Sequence, residues 1–178
     1  MRFTVLLLTA AFFFSTYAEG SAVLQKSSFY GGLSIPLGEG SELINVAPTA
    51  GGETYALIGN IYGVGGHAEY SLFSVKSQYL IDGAIGLLHF WDLSMVNKIN
   101  LKLTENSSFL LEIDPGFYLG LASVSYGGRS ESDFEPSFGM TFGTGWKINY
   151  LTLGFKFKMA MSEMESTKWV SFVVGFST

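Results

Sequence analysis

Residues Leu151–Met161 read Leu-Thr-Leu-Gly-Phe-Lys-Phe-Lys-Met-Ala-Met. Leu151, Leu153, Phe155, Phe157, Met159 and Met161 share one face of a two-residue period, and Thr152, Gly154, Lys156, Lys158 and Ala160 share the other. That alternation is the signature of a β-strand. An apolar face unbroken for the whole strand, with lysines at its middle on the opposite face, suits a wall that has lipid on one side and a polar interior on the other.

The same pattern recurs along the chain. Residues 28–37 alternate Phe29, Leu33, Ile35 and Leu37 with Tyr30, Gly32, Ser34 and Pro36. A Gly/Ser/Glu-bearing stretch, 38–62, reads as a long loop, of which 55–61 can extend a second strand at 64–73, where Ala68, Tyr70 and Leu72 oppose His67, Glu69 and Ser71. A third strand, 79–91, places Ile81, Ile85 and Leu87 outward and Asp82, Ala84 and Gly86 inward, with Leu88 and Phe90 blurring the phase. The fourth, 95–104, alternates Ile99, Leu101 and Leu103 with Lys98, Asn100 and Lys102. Further strands follow at 108–123, 134–146, 150–161 and 168–177, making eight. Pro115 falls inside the fifth, where a ladder hydrogen bond is lost and a bulge or local break is expected.

At the front, Met1 and Arg2 precede an almost purely apolar run, 3–14, and Thr16-Tyr17-Ala18 offers small residues for cleavage. This is the order of a secretory signal peptide, 1–18, with cleavage after Ala22 as the alternative. The run is far short of the roughly 20 residues that cross a bilayer as a helix. Removing Arg2 and no acid moves the formal charge from −5 to −6, a mild acidic excess that speaks against nucleic acid as a partner. Residues 19–178, undivided by any linker, are expected to form one domain. Cysteine is absent from the 178 residues, so no disulfide framework and no thiolate chemistry is expected despite export.

These strands are expected to close as an all-β, eight-stranded antiparallel up-and-down transmembrane β-barrel. A secreted lipocalin-like carrier has the same strand count with the faces exchanged, its apolar side chains lining a ligand cavity. Here the apolar faces are continuous and aromatic-rich, while the opposite faces mix both charge signs with Gly, Ser and Thr, which favours the membrane version. The interior is then expected to collect His67, Glu69, Asp82, Lys98, Lys102, Glu112, Asp114, Lys156 and Lys158. Eight strands enclose only enough space for side chains, so these groups should form an ion-paired plug and not a diffusive channel. Trp91, Tyr126, Trp146, Tyr150 and Trp169, near strand ends, are candidates for interfacial girdles.

The Phe29-Tyr30-Gly31-Gly32-Leu33 opening, the Ala68-Glu69-Tyr70-Ser71-Leu72-Phe73 strand, the Pro115-Gly116-Phe117-Tyr118-Leu119-Gly120-Leu121 segment and the strand at 150–161 resemble the small OmpA-like outer-membrane barrels of Gram-negative bacteria, the group that includes OmpX-type and opacity-type proteins. The resemblance spans nearly all of the mature chain and implies an outer-membrane location. Members usually finish on an aromatic residue, whereas here Phe176 is followed by Ser177-Thr178.

Chemistry is sparse. With only His67 and His89, no multi-histidine metal site is expected, and His67 with Glu69 reads first as a satisfied interior pair. Gly63-Val64-Gly65-Gly66 lacks the lysine and helix of a phosphate loop, so no cofactor is expected. Asn106-Ser107-Ser108 matches a glycosylation sequon by chance in this setting. The favoured reading is a monomeric, non-enzymatic barrel in contact with outer-membrane lipid, showing acidic loops at 38–62, 126–133 and 162–167 to an extracellular or host surface ligand. A lipid-modifying enzyme (acyl hydrolase or acyltransferase) is second, and the lipocalin-like carrier third, lacking the family's usual Gly-x-Trp near the first strand.

Overall fold

Eight antiparallel strands close on themselves in sequence order. The computed structural model describes residues 24–59, 61–161 and 166–177, and the expected signal peptide lies outside them. The strands are β1 (Leu24–Leu37), β2 (Ala47–Ile58), β3 (Tyr62–Ser74), β4 (Ile85–Lys102), β5 (Ser107–Tyr126), β6 (Arg129–Ile148), β7 (Leu151–Met161) and β8 (Ser166–Ser177), with β8 pairing back onto β1.

Two strand assignments from the sequence are corrected. β2 occupies much of what reads as the long loop at 38–62, because its outward positions before Ile58 are Pro48, Ala50, Gly52, Thr54 and Ala56, which supply little apolar contrast. The strands expected at 79–91 and 95–104 are one continuous β4. Asp92 and Ser94, which read as a turn, are buried interior residues in the middle of that strand. The expected count of eight is right because one missed strand offsets one divided strand.

Links at one end of the barrel are tight, 59–61, 103–106 and 149–150, and this is called the turn end. At the other, loop end, residues 38–46 and 75–84 are longer and are tied to each other. Ile44 bridges Val75, the Lys76 N–H donates to the Leu43 carbonyl, and Lys76 Nζ donates to the Ser41 carbonyl at 2.7 Å. β5 and β6 are joined by Gly127-Gly128 alone, with φ of 56° and 78°, the left-handed pair that a two-residue hairpin turn demands.

Following one hydrogen-bonded rung around the wall fixes the geometry. It passes Leu24, Leu57, Gly63, Lys98, Glu112, Gly143, Lys156 and Ser171 and returns to β1 at Ser34. The ten-residue offset between Leu24 and Ser34 tilts the strands about 40° from the barrel axis, within the range for closed barrels. Pro115 produces the expected local break. The β4–β5 ladder pairs Ser94 with Gly116 and Lys98 with Glu112 but is open between. Asp114 Oδ1 accepts the Asn97 N–H there at 2.8 Å, replacing a backbone partner with a side chain.

The two surfaces of the wall differ in kind. Outward-facing Phe29, Phe117, Phe138, Phe142, Phe155, Phe172 and Phe176 are exposed, and several meet edge to face across strands, Phe117 with Phe138 at 5.9 Å and Phe155 with Phe172 at 5.2 Å between ring centroids. Phe155 is 37% exposed while Lys156, the next residue, is 4% exposed. Large apolar side chains outside and ionised ones inside is the reverse of a water-soluble domain.

Candidate functional site

The interior is built in layers. Nearest the turn end, Lys98 on β4 pairs with Glu53 on β2 and, at 3.2 Å, with Glu112 on β5. Glu112 also holds Lys156 on β7 at 3.1 Å. The Lys98 and Lys156 ammonium groups lie over the rings of Tyr55 and Tyr30, at 4.8 and 4.5 Å from the centroids. A cavity of about 30 Å³, large enough for water, lies among Ser28, Glu53, Lys98, Thr152 and Lys156.

One layer further in, the Tyr30 hydroxyl donates to Glu69 at 2.9 Å and meets His67 Nε2. Glu69 also accepts from Thr49 at 2.8 Å and pairs with Lys158 at 2.7 Å, and Lys158 reaches Asp92 at 2.8 Å. Toward the loop end, the Thr141 hydroxyl links Asp92 to the Tyr118 hydroxyl. Above that the interior turns apolar, with Phe73, Phe90, Tyr118 and Trp169 packed on Ile44, Ala47 and Ala160. Their rings meet at 5.0 to 6.4 Å, mostly edge to face.

Two glycines make the wiring possible. Gly51 lies between Tyr30 and Glu69 on one rung, and Gly143 lies between Glu112 and Lys156 on another. A Cβ at Gly143 would run into the Glu112 carboxylate, and one at Gly51 would press on the Tyr30 hydroxyl and the Ala68 carbonyl. Each lets two side chains that are two strands apart meet over a strand with none between them.

Of the residues expected inside, His67, Glu69, Lys98, Glu112, Asp114, Lys156 and Lys158 are buried there. Asp82 is not. β4 starts only at Ile85, and Asp82 sits exposed in a turn beside Gly83, whose φ of 82° takes the chain out of extended geometry. Lys102 keeps the inward phase but is the last residue of β4 and lies exposed at the turn-end rim. Trp169, a candidate girdle residue, points inward and is 2% exposed. Sequence reasoning missed Glu53, hidden in the unrecognised β2, and Asp92, read as a turn. The period-two phase through Phe90, Asp92 and Ser94 was the available signal for the second.

Ser94, His67 and Asp92 are residue types able to act as nucleophile, base and acid, and Ser94 Oγ lies 2.8 Å from His67 Nδ1. All three are buried, and the other imidazole nitrogen is taken by Tyr30. The arrangement orients the interior network and presents no hydroxyl to a lipid outside the wall.

At the loop end, β6 runs on past β7 and turns back as a hairpin with β5, which β4 backs as far as Ser125. β6 pairs with β7 from Phe138 downward, while residues 129–137 pair only with β5 among the described residues. Glu131, Asp133 and Glu135 alternate along this exposed stretch, on the side continuous with the barrel interior. The acidic segment expected at 126–133 is thus a regular hairpin whose β6 arm forms the edge of a sheet extension backed by β5 and β4, rather than an irregular loop. Residues 162–165 of the expected acidic loop at 162–167 lie outside the described residues, and Ser166 and Thr167 open β8.

No family model matches the sequence, and no curated protein matches it. Solved structures do. The attachment invasion locus protein Ail of Yersinia pestis, in complex with the heparin analogue sucrose octasulfate, aligns over 86% of this chain and 99% of its own at 14% identity and a TM-score of 0.59. Neisserial surface protein A aligns over 89% and 99% at 10% identity and a TM-score of 0.56. The N-terminal β-barrel domain of Pseudomonas aeruginosa OprF aligns over 88% and 99% at 9% identity and a TM-score of 0.54. The fold is that of the small eight-stranded outer-membrane barrels. Nearly complete coverage of each neighbour means the likeness is to a whole barrel and not to a shared sheet.

Proposed function

We propose that this protein is a non-enzymatic outer-membrane barrel that anchors in the bilayer through its apolar wall, is closed to solutes by its ion-paired interior, and offers the β5–β6 hairpin to a partner outside the cell. The observation that carries the anchoring is the opposed exposure of Phe155 and Lys156 on one strand, repeated around the wall. A closed sheet leaves no unpaired backbone in hydrocarbon. The expected signal peptide provides export, the turn end faces the periplasm and the loop end faces out, in keeping with the short periplasmic turns of such barrels.

Closure follows from the interior. A continuous chain of partners from Glu53 to Tyr118, topped by the Phe73, Phe90 and Trp169 rings, occupies the axis. The same facing argues against a lipocalin-like carrier, whose cavity would be apolar. For the hairpin, Glu131, Asp133 and Glu135 with a single Arg129 make a basic surface the fitting partner. The sulfated sugar analogue bound by Ail carries the opposite charge requirement, so this reading does not extend that ligand to this chain.

The test is expression in a Gram-negative host with two readouts. Unboiled protein should migrate differently from boiled protein and fractionate with the outer membrane. External protease on intact cells should cut at the loop end, the hairpin included, and spare the turn end. Cytoplasmic or freely soluble protein without heat-dependent mobility would reject the reading. A hairpin resistant in intact cells but cut in lysed ones would reject its outward orientation.

A further inference from the structure

The outer face of β4 is aliphatic at Ile85, Leu87, Leu93, Met95, Ile99 and Leu101, and it is interrupted at His89, Trp91 and Asn97. Both polar interruptions are met by a tyrosine of β3. Tyr62 donates to Asn97 Oδ1 at 3.0 Å, and the Tyr70 hydroxyl lies 2.7 Å from His89 Nδ1. His89 and Asn97 are eight residues apart, about 20 Å along the axis at the rise and tilt of a barrel strand. That separation approaches the height of the apolar band of an outer-membrane barrel, about 25 Å. On the next outward positions toward the loop end Leu87 is flanked by Ser74 and Ser123 and Ile85 by Ser125, so the Tyr70–His89 pair stands where the wall turns from apolar to mixed polar.

Resting on the membrane reading above, we propose that Tyr70, His89 and Trp91 form a binding site for the phosphate of a lipid headgroup in the outer leaflet. A phenol is a strong donor and an imidazole nitrogen is its natural acceptor. When the Tyr70 hydroxyl donates to Nδ1, the ring proton sits on Nε2, which becomes an N–H donor. Nε2 has no protein partner among the described residues. Trp91 lies parallel to the imidazole, 13° between planes and 5.9 Å between centroids, and 5.5 Å from the Tyr70 ring. The ring is thus held from two sides with one donor left over, at the height where lipid phosphates lie. A spare donor at the bilayer surface fits a lipid phosphate, whereas a purely apolar belt would require none.

The refolded protein in detergent is titrated with dioleoyl phosphatidic acid or with dioleoylglycerol, which has the same chains and no phosphate, and bound lipid is counted by native mass spectrometry. The wild type should retain one phosphatidic acid with roughly tenfold preference, the size of one hydrogen bond to a charged group. His89→Leu should bring the two lipids to parity, and Tyr70→Phe, which frees Nδ1, should lower the preference partway, both with unchanged heat-dependent gel mobility. Preference that survives in both variants, full displacement by an equal concentration of inorganic phosphate, or a second protein copy in place of lipid would each overturn the proposal. Parity in a correctly folded wild type would overturn it alone. A wild type that never gains heat-dependent mobility would bring down the membrane reading with it.

Discussion

Glu112 and Lys156 stand two strands apart on one rung, and their carboxylate and ammonium meet at 3.1 Å because the residue between them is Gly143. Interior charges in a barrel this narrow have no bulk water to fall back on, so a glycine here sets which pairs can form. Gly143→Val should force the Glu112 side chain away and leave charges without partners, destabilising the barrel by about 3–5 kcal/mol, the range for breaking a buried pair. Gly66→Ala, on the outer face with open space around it, should change little. Urea unfolding in lipid vesicles, followed by gel mobility, compares the two directly.

Lys158 is shared by Glu69 and Asp92 and is fully buried. Lys158→Met should leave two carboxylates facing each other without a cation and cost about 3–5 kcal/mol. Lys102→Met, at the exposed rim, should stay within about 0.5 kcal/mol. Comparable losses at the two positions in the same unfolding assay would contradict the placement of the ion pairs.

Asp114 replaces a backbone acceptor where Pro115 opens the β4–β5 ladder. Asp114→Ala should leave the Asn97 N–H without its partner and cost about 1–3 kcal/mol. Asp114→Asn, which keeps an acceptor oxygen in place, should cost less. Hydrogen exchange provides the local check: the Asn97 amide should exchange faster in the alanine variant than in the asparagine variant.

The hairpin and the barrel should also separate in hydrogen exchange. Residues 129–133 of β6 lie beyond the reach of β7, so backbone groups there on the side away from β5 meet solvent. Their amides should exchange far faster than that of Thr141, which lies in the fully paired part of the same strand. Uniform protection along β6 would mean that the projecting edge is covered.

Strand phase was legible wherever outward positions were large. Leu151–Met161 and β5 could be read residue by residue, and with them the inward placement of Lys156, Lys158, Glu112 and Asp114. It failed where the outward face is small, as in β2, so Glu53 went unseen. It failed too where the inward face is apolar. Phe90 and Trp169 belong to the aromatic layer at the loop end, and a rule that sends aromatics outward misplaces them. Links between strands were the least legible part, since Asp82 looks like a strand residue until Gly83 turns the chain.

The claim on which everything else depends is that lipid touches Phe155 and does not touch the interior. Two single-tryptophan proteins test it in vesicles of lipid brominated near mid-chain, both with Trp91→Phe and Trp146→Phe. One keeps Trp169, and the other carries Phe155→Trp with Trp169→Phe. Strong quenching at position 155 with little at Trp169 is the predicted result. Strong quenching of Trp169, with position 155 reached instead by aqueous iodide, would contradict the account.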